Sequence, residues 1–356
     1  MTAHAPAPDS VCILRLSAIG DTCHVVPVLR TLQHAWPRTR FTWIIGRLES
    51  RLMSSIEGVE FITVDKRSGL AALAAPRALA GRRFDVLLHM QLAFRASLIA
   101  WRVRAERKIG FDRARARELQ WCFTDTRIAP RSREHVLDSF FGFAEALGVT
   151  ERRLRWDLPL SPEARASAAQ LIPDARPTLV ISPCSRHRLR NWHARGYAAL
   201  ADHAASTHGM RVILVGGASP LELSMGRAIE AAARTPLINQ IGRDTLPALL
   251  ALLARTTVLL SPDSGPAHMA TVVGTPVIGL YAATNPARTG PYLSREWCVN
   301  AYPEAARRFR HREPDQLPWT EKIEEPGVMD LIGIADVTAR LDALMRQGAP
   351  RTTPGS

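Results

Sequence analysis

Short apolar runs alternate with longer amphipathic segments along the first half of the chain. The runs are rich in β-branched and aromatic residues and predict strands, whereas the segments between and after them predict helices. The predicted strands are Val11–Leu16, Phe41–Ile45, Phe61–Val64 and Phe84–His89. Such alternation is typical of parallel sheets that carry helices on both faces.

The same alternation restarts after Pro177. Each new apolar run is again followed by a helical segment, and the five strands predicted there are Thr178–Ser182, Arg211–Val215, Leu237–Gln240, Thr257–Ser261 and Val277–Tyr281. We therefore predict an α/β fold with two Rossmann-like domains in tandem. Folds of this kind bind ligands in the crevice at the carboxyl ends of their strands.

The stretch from Pro159 to Pro177 is rich in proline, alanine and polar residues and predicts the passage between the domains. We place the first domain at residues 1–172 and the second at 173–330. A last helix within residues 331–348 has no obvious place in the second sheet, so we expect it to pack back on the first domain. Residues 349–356 are predicted to be a disordered tail.

The chain of 356 residues has a formal net charge of +13, and all but three of its 46 basic residues are arginine. Arginine binds phosphates and carboxylates in a bidentate way, so the excess fits an acidic partner; a solvated basic face is the alternative. No apolar stretch reaches membrane-spanning length, and residues 1–10 do not resemble a signal peptide. The five cysteines lack metal-ligand spacing. We expect a cytoplasmic protein with reduced thiols and no metal site.

A polar turn lies between the apolar run that ends at Ser261 and the helical segment after Gly265. The N–H groups and positive field at the start of a helix suit a phosphate group. The turn also carries the carboxylate of Asp263, the hydroxyl of Ser264 and, further on, the imidazole of His268. These residues predict a nucleotide diphosphate site, although Asp263 or Ser264 would also make an ordinary helix N-cap.

A second polar turn, Ser17–His24, follows the first predicted strand. Asp21 is expected at the carboxyl edge of the sheet, where an ionised carboxylate can accept a proton from a hydroxyl. His24 lies one helical turn further on and can reach the same space. The alternative for Asp21 is a plain N-cap.

Two further turns follow strands of the second domain. The segment Ser182–Trp192 contains three arginines within five residues, which favours a diphosphate clamp over a solvated loop. In the segment Gly216–Glu222, the acid at position 222 can contact a ribose, or can simply occupy a first helical turn. Glycine-rich dinucleotide and P-loop fingerprints and an HExxH zinc motif are absent from the sequence, which disfavours those classes.

Together and in this order, the turns resemble the lipopolysaccharide heptosyltransferases of glycosyltransferase family 9. The resemblance extends from about Val11 to Tyr281 and includes Gly242–Leu246, Gly274–Pro276 and His135–Asp138. It implies a GT-B architecture, in which two Rossmann-like domains face each other across a cleft. It also implies inverting transfer of heptose from ADP-heptose to a lipopolysaccharide core acceptor, without a metal or another cofactor.

The resemblance also implies roles for individual residues. Asp21 matches the general base, and His24 and Arg117 are expected to bind the acceptor. The residues expected to bind the donor are Ser185, Arg190, Glu222, Asp263, Ser264, Gly265 and His268. Family members often carry lysine at position 190, and the loop from Cys184 to Arg190 departs from the commonest family versions.

The implied partners are a nucleotide-sugar donor, a lipid-linked glycan acceptor and, peripherally, the cytoplasmic face of the inner membrane. Nucleic acid is not expected, because aromatic residues make up only 6% of the chain and do not alternate with the basic residues. Two other functions stay open. One is a family relative that uses another nucleotide sugar on a different surface glycan, and the other is a nucleotide-binding protein without turnover.

Overall fold

The computed structural model describes residues 7–65 and 77–349. The chain forms two compact units that divide between Pro159 and Leu160. The predicted disordered tail, apart from its first residue, lies outside the described residues. Within the described ranges, no helix is both long and apolar enough to cross a membrane.

The first unit is a parallel six-stranded sheet with helical connections. Its strand order is β3-β2-β1-β4-β5-β6, which is a Rossmann order. The elements are β1 (Ser10–Leu14), α1 (Ile19–Ala35), β2 (Arg40–Gly46), α2 (Arg47–Met53), β3 (Val59–Val64), β4 (Arg83–His89), α3 (Phe94–Arg102), β5 (Arg104–Gly110), β6 (Thr126–Arg127) and α4 (Val136–Glu145).

The second unit repeats this architecture. Its strand order, β12-β11-β10-β7-β8-β9, is the same Rossmann order when its strands are counted from β7. The elements are α5 (Pro162–Leu171), β7 (Thr178–Ile181), α6 (Ala194–His208), β8 (Arg211–Leu214), α7 (Pro220–Ala232), β9 (Ile238–Asn239), α8 (Leu246–Arg255), β10 (Val258–Pro262), α9 (Gly265–Val272), β11 (Val277–Tyr281), α10 (Pro286–Thr289), β12 (Val299–Asn300), α11 (Tyr302–Arg310) and α12 (Ile334–Arg346).

The central strands form the core of each sheet. All five residues of β1 are buried, as are those of β10 and β11, because helices cover both faces of a parallel sheet. In the first unit, Ile13 on β1 lies opposite Trp43 on β2, and its neighbour Leu14 lies opposite His89 on β4. The predicted α/β class and the two Rossmann-like domains are confirmed.

The strand order reverses direction once in each sheet. The first sheet reverses between β1 and β4, and the second between β7 and β10. The connections that leave these neighbouring strands run to opposite sides, which opens a crevice at the carboxyl ends. The turn after β1 carries Asp21, and the turns after β7 and β10 carry Arg190 and Asp263. The fold thus brings the main predicted site residues to the two reversal points.

Two expectations about domain limits differ from the structure. The predicted boundary at residue 172 lies beyond α5, but α5 packs against α8 and belongs to the second unit. The last helix, expected on the first domain, packs instead against α6, β11 and β12 of the second unit. The physical reason is its apolar face, since Val337, Leu341 and Leu344 are fully buried in the core of the second unit.

Several elements were not predicted. Strand β5 carries four charged residues among its seven, so it lacks the apolar run that signals a strand. Strands β6 and β12 have only two residues each. Helix α1 begins at Ile19, six residues before the predicted start at Val25, because the polar turn itself is already helical.

Candidate active site

In the first unit, two glutamine side chains hold the backbone at the reversal point: Gln91, after β4, and Gln120, after β5. The backbone N–H groups of Leu16 and Ser17 donate to Gln91 Oε1 at 3.0 and 3.2 Å. The buried Gln120 side chain in turn donates to the carbonyl oxygens of His89 and Gln91, at 2.8 and 3.2 Å. These bonds fix the turn after β1 relative to the neighbouring strand.

Asp21 is the third residue of α1 and lies within the first turn of the helix rather than at its N-cap. Its Oδ2 atom accepts the N–H of Ala18 at 3.2 Å and forms an ion pair with the guanidinium of Arg15. Within residues 7–65 and 77–349, no group hydrogen-bonds to its Oδ1 atom. About a third of the side chain, 32%, is exposed. The carboxylate is therefore held through one oxygen and presents the other.

Arg15 connects Asp21 to both strands of the reversal point. It lies just after β1, is 8% exposed, and donates a second hydrogen bond to the carbonyl of Met90 after β4. Its guanidinium also lies over the Phe140 ring, 5.1 Å from the centroid. A buried arginine needs such partners, because an unpaired buried charge is costly.

His89, at the end of β4, lies beneath this arrangement and is fully buried. Burial, followed by the positive charges of Arg15 and Lys108, lowers the pKa of His89 to about 3. One ring nitrogen, Nε2, lies 3.1 Å from Ser97 Oγ. The imidazole is therefore neutral at physiological pH and adds no charge beside Arg15.

The two predicted acceptor residues lie in different environments. His24 is only 3% exposed, and its ring packs edge-on against His135 with the centroids 5.3 Å apart. His135 caps α4 by accepting the N–H of Leu137 at 3.0 Å. Arg117 is exposed in the segment that follows β5. Of the two side chains, only that of Arg117 is exposed.

In the second unit, Arg190 and Asp263 meet at the reversal point. Arg190 Nη1 lies 3.3 Å from Asp263 Oδ2, so the loop after β7 and the turn after β10 are linked by an ion pair. Thr289 Oγ1 lies 3.4 Å from the same carboxylate oxygen. Both charged side chains are mostly buried, at 18% and 12% exposure.

Glu324 provides a second and closer carboxylate for Arg190. Its Oε1 atom accepts Nε at 2.7 Å and lies 2.6 Å from Nη2. Burial opposes ionisation of Glu324, but the hydrogen bond and charge of Arg190, with His187 and Lys322, lower the pKa of this carboxyl below its usual value. For Lys322, burial and then the charge of Arg190 lower the pKa. Arg190 is thus held in one orientation by two carboxylates.

The turn after β10 presents the start of α9. The hydroxyl of Ser264, the N-cap residue, lies 2.7 Å from Ser261 Oγ and makes no cap bond to the helix. Gly265 and Pro266 then form the first helical positions. His268, one turn further, is 8% exposed. An uncapped helix start at the reversal point suits an anionic group.

Ser185 and Glu222 both stabilise backbone turns. Ser185 N–H donates to Asn191 Oδ1 at 2.7 Å, and its hydroxyl donates to the carbonyl of His187 at 3.0 Å. Glu222 accepts the N–H of Gly217 at 2.7 Å and the hydroxyl of Ser219 at 2.6 Å. Glu222 therefore closes the turn at the start of α7, which was the alternative role for an acid at that position.

Sequence reasoning missed four residues of these two sites: Arg15, Gln91, Thr289 and Glu324. Arg15 is the penultimate residue of a predicted strand. A charged residue at that position, just before a polar turn, could have marked it as a candidate site residue. Glu324 is 134 residues from Arg190, and no local pattern connects them. Long-range pairs of this kind emerge only from the tertiary structure.

Comparison with known proteins identifies the family. A family model described as glycosyltransferase family 9 (heptosyltransferase) matches residues 72–317. The chain is 40% identical over 339 residues to the lipopolysaccharide core heptosyltransferase OpsX of Haemophilus influenzae, covering 95% of this chain and 97% of the relative.

Two solved Escherichia coli structures share the fold. ADP-heptose LPS heptosyltransferase II superposes with a TM-score of 0.72 at 19% identity, and heptosyltransferase WaaC with ADP superposes with a TM-score of 0.69 at 20% identity. Each comparison covers 96% of this chain and 100% of the other. These matches define a glycosyltransferase with the GT-B fold. The chain belongs to glycosyltransferase family 9, the heptosyltransferase family.

The pKa of Glu324 makes its contribution to stability depend on pH. Because the pKa is lowered in the folded protein, the ion pair stabilises the fold above the unfolded value of about 4.3, and this stabilisation is lost as the pH falls through the lower, folded pKa. We expect Glu324→Gln to lower the free energy of unfolding at pH 7 by about 1 kcal/mol. The difference from wild type should shrink below about pH 4.

Chemical denaturation at a series of pH values measures this effect. Glu325→Gln is the matched control, because Glu325 pairs with Arg310 at 2.9 Å but is 42% exposed, and an exposed pair contributes little. A deficit of Glu324→Gln that is the same at pH 3 and pH 7 would contradict the assignment.

Proposed function

We propose that this protein transfers a heptose from ADP-heptose to a lipopolysaccharide core acceptor, with inversion at the anomeric carbon. Asp21 is the general base, and neither a metal ion nor another cofactor takes part in the transfer. The names of the relatives support the substrates, since OpsX is a lipopolysaccharide core heptosyltransferase and the solved relatives include an ADP-heptose enzyme. The observation that carries the proposal is a carboxylate held through one oxygen at a reversal point.

Asp21 suits the role of base because its two oxygens are not equivalent. Oδ2 is occupied by Arg15 and the N–H of Ala18, which fixes the carboxylate plane. Oδ1 then accepts the proton of the acceptor hydroxyl while the hydroxyl oxygen attacks the anomeric carbon. Direct attack of the acceptor oxygen on the anomeric carbon is a single displacement, which needs one base and inverts the configuration of that carbon.

The second unit supplies the groups that stabilise the leaving ADP. Arg190 and the first turn of α9 lie at the same reversal point, and together they offer a guanidinium and backbone N–H groups to a diphosphate. Glu324 and Asp263 hold Arg190 in place beforehand, so little side-chain entropy is lost when the donor binds. Ser185 and Glu222 shape the adjoining turns and complete the donor site together with His268.

Arg117 and the basic surface serve the acceptor. The acceptor is a lipid-linked anionic glycan, and the exposed arginine at position 117 follows β5 at the edge of the sheet where Asp21 lies. His24, which is buried behind the turn, supports α1 against α4 through His135. The enzyme accordingly works in the cytoplasm, at the inner face of the inner membrane.

Asp21 can act as the general base or only stabilise the start of α1, and these two roles predict different results for Asp21→Asn. The amide oxygen can still accept the bonds from Arg15 and Ala18, but it cannot take a proton. We expect transfer from ADP-heptose to fall about 10²–10⁴-fold in the variant. With other ADP-, UDP- and GDP-sugars as donors, neither the wild type nor the variant should give product. Product mass, measured with the lipid-linked acceptor present, reports both results.

Asp157→Asn is the matched control for the lost ion pair. Asp157 pairs with Arg30 on α1 at 2.6 Å, and Arg30 is 15% exposed, so both substitutions weaken an ion pair to a mostly buried arginine. The control should lower the melting temperature similarly but keep the transfer rate. If Asp21→Asn retains more than about a tenth of the wild-type rate, Asp21 is not the base.

Donor binding tests the second unit separately. We expect Arg190→Ala and Asp263→Ala each to weaken ADP binding by about 1–3 kcal/mol, because one removes a charged hydrogen bond and the other releases the arginine that makes it. Isothermal titration calorimetry measures both. Arg211→Ala is the control, since Arg211 pairs with Asp174 at 2.9 Å at the opposite, amino-terminal edge of the sheet. Unchanged affinity in both test variants would refute the placement of the diphosphate.

Membrane association should be peripheral and electrostatic. Each well-placed arginine contributes about 1 kcal/mol at an anionic lipid surface, and salt screens the attraction within about 3 Å at 1 M. We expect co-sedimentation with anionic vesicles at low salt, release at about 1 M salt, and little binding to neutral vesicles. Sedimentation that depends on neither lipid charge nor salt would contradict this prediction.

A further inference from the structure

A separate polar cluster lies at the C-terminal end of α6. His203 and His208 belong to α6, and Asp342 belongs to α12. The Nε2 atoms of both histidines lie 2.7 Å from the same oxygen, Asp342 Oδ1. The three ligand atoms all lie within 4.8 Å of one another. No local pattern predicts this cluster, because 134 residues separate His208 from Asp342.

The three groups form a recognised ligand set for a transition metal. Two imidazole nitrogens and one carboxylate oxygen suit zinc or ferrous iron, and leave positions for water. The Nδ1 atom of His203 lies 3.4 Å from Thr207 Oγ1, so a neighbouring hydroxyl can orient the ring. The side chains are 17% to 27% exposed, which leaves a path for an ion from solvent.

The three ligand atoms need little rearrangement to bind one ion, because both imidazole nitrogens already contact the same carboxylate oxygen. Replacing the two N–H···O bonds by metal bonds needs only small movements of three side chains, because their ligand atoms already converge.

The position of the cluster separates it from the donor site. Arg190 precedes the first residue of α6, whereas His208 is the last residue of that helix. A helix of 15 residues is about 22 Å long, so the two sites lie at opposite ends of α6. An ion here would act on the packing of α12 against α6 rather than on sugar transfer.

We propose that His203, His208 and Asp342 bind one divalent transition-metal ion, of the zinc type, that fastens α12 to α6. This site goes beyond the proposed transferase activity and does not depend on it. The ion is structural, so the heptosyl transfer itself still proceeds without metal chemistry. The competing arrangement is the metal-free one, in which both histidines only donate hydrogen bonds to the carboxylate.

The test is zinc and cobalt titration of the full chain after removal of bound metal with a chelator. We expect one ion per chain by calorimetry, visible absorption bands on cobalt binding, and a higher melting temperature with zinc present. His208→Gln and Asp342→Asn keep a hydrogen-bonding partner but remove a ligand, and should weaken zinc binding by at least the roughly 10–100-fold that loss of an outer-shell partner produces.

His34→Gln is the control, because His34 is also near the C-terminal end of a helix, α1, but is exposed and belongs to no such cluster among the described residues. It should bind zinc as wild type does. Circular dichroism and ADP binding confirm that each variant is folded. The proposal is overturned if the wild-type chain takes up no stoichiometric ion, or if the folded variants bind zinc as tightly as wild type.

Discussion

The reversal of strand order is the constraint on which both candidate half-sites depend. A right-handed connection that leaves β1 runs to one side of its sheet, and the connection that leaves β4 runs to the other. Side chains line the crevice that remains at the carboxyl ends. In the first unit Arg15 lines it and holds Asp21, while Gln91 holds the backbone of the turn. In the second unit Arg190 lines it and is itself held by two carboxylates.

The two units present side chains of opposite charge at their reversal points. The first presents a carboxylate whose single buried cation occupies only one of its oxygens. The second presents a guanidinium between two acids, beside an uncapped helix start. Proton transfer requires a carboxylate oxygen that can accept a proton, whereas diphosphate binding requires positive charge and N–H donors. The arrangement at each reversal point therefore corresponds to one half of the proposed reaction.

Much of the fold and of the candidate site could be predicted from the sequence, and the features that were missed were missed for physical reasons. Strands β1 and β10 are buried on both faces, so each is a continuous apolar run in the sequence. The polar turns that follow these runs led to the prediction of Asp21 and Asp263 as site residues. Strand β5 escaped prediction because four of its seven residues are charged and it has no apolar run. The docking of α12 and the pairing of Arg190 with Glu324 also escaped. Both are contacts between segments far apart in sequence, which no local periodicity records.

The identical strand order of the two sheets has a consequence for the evolution of the chain. Each sheet encloses its own core and carries its own reversal point, so each can accumulate substitutions without disturbing the register of the other. Under the proposed function, a change of acceptor would arise in the first unit and a change of donor in the second. Exchange of halves between relatives, at the connection near Pro159, would then combine an acceptor and a donor specificity in one step.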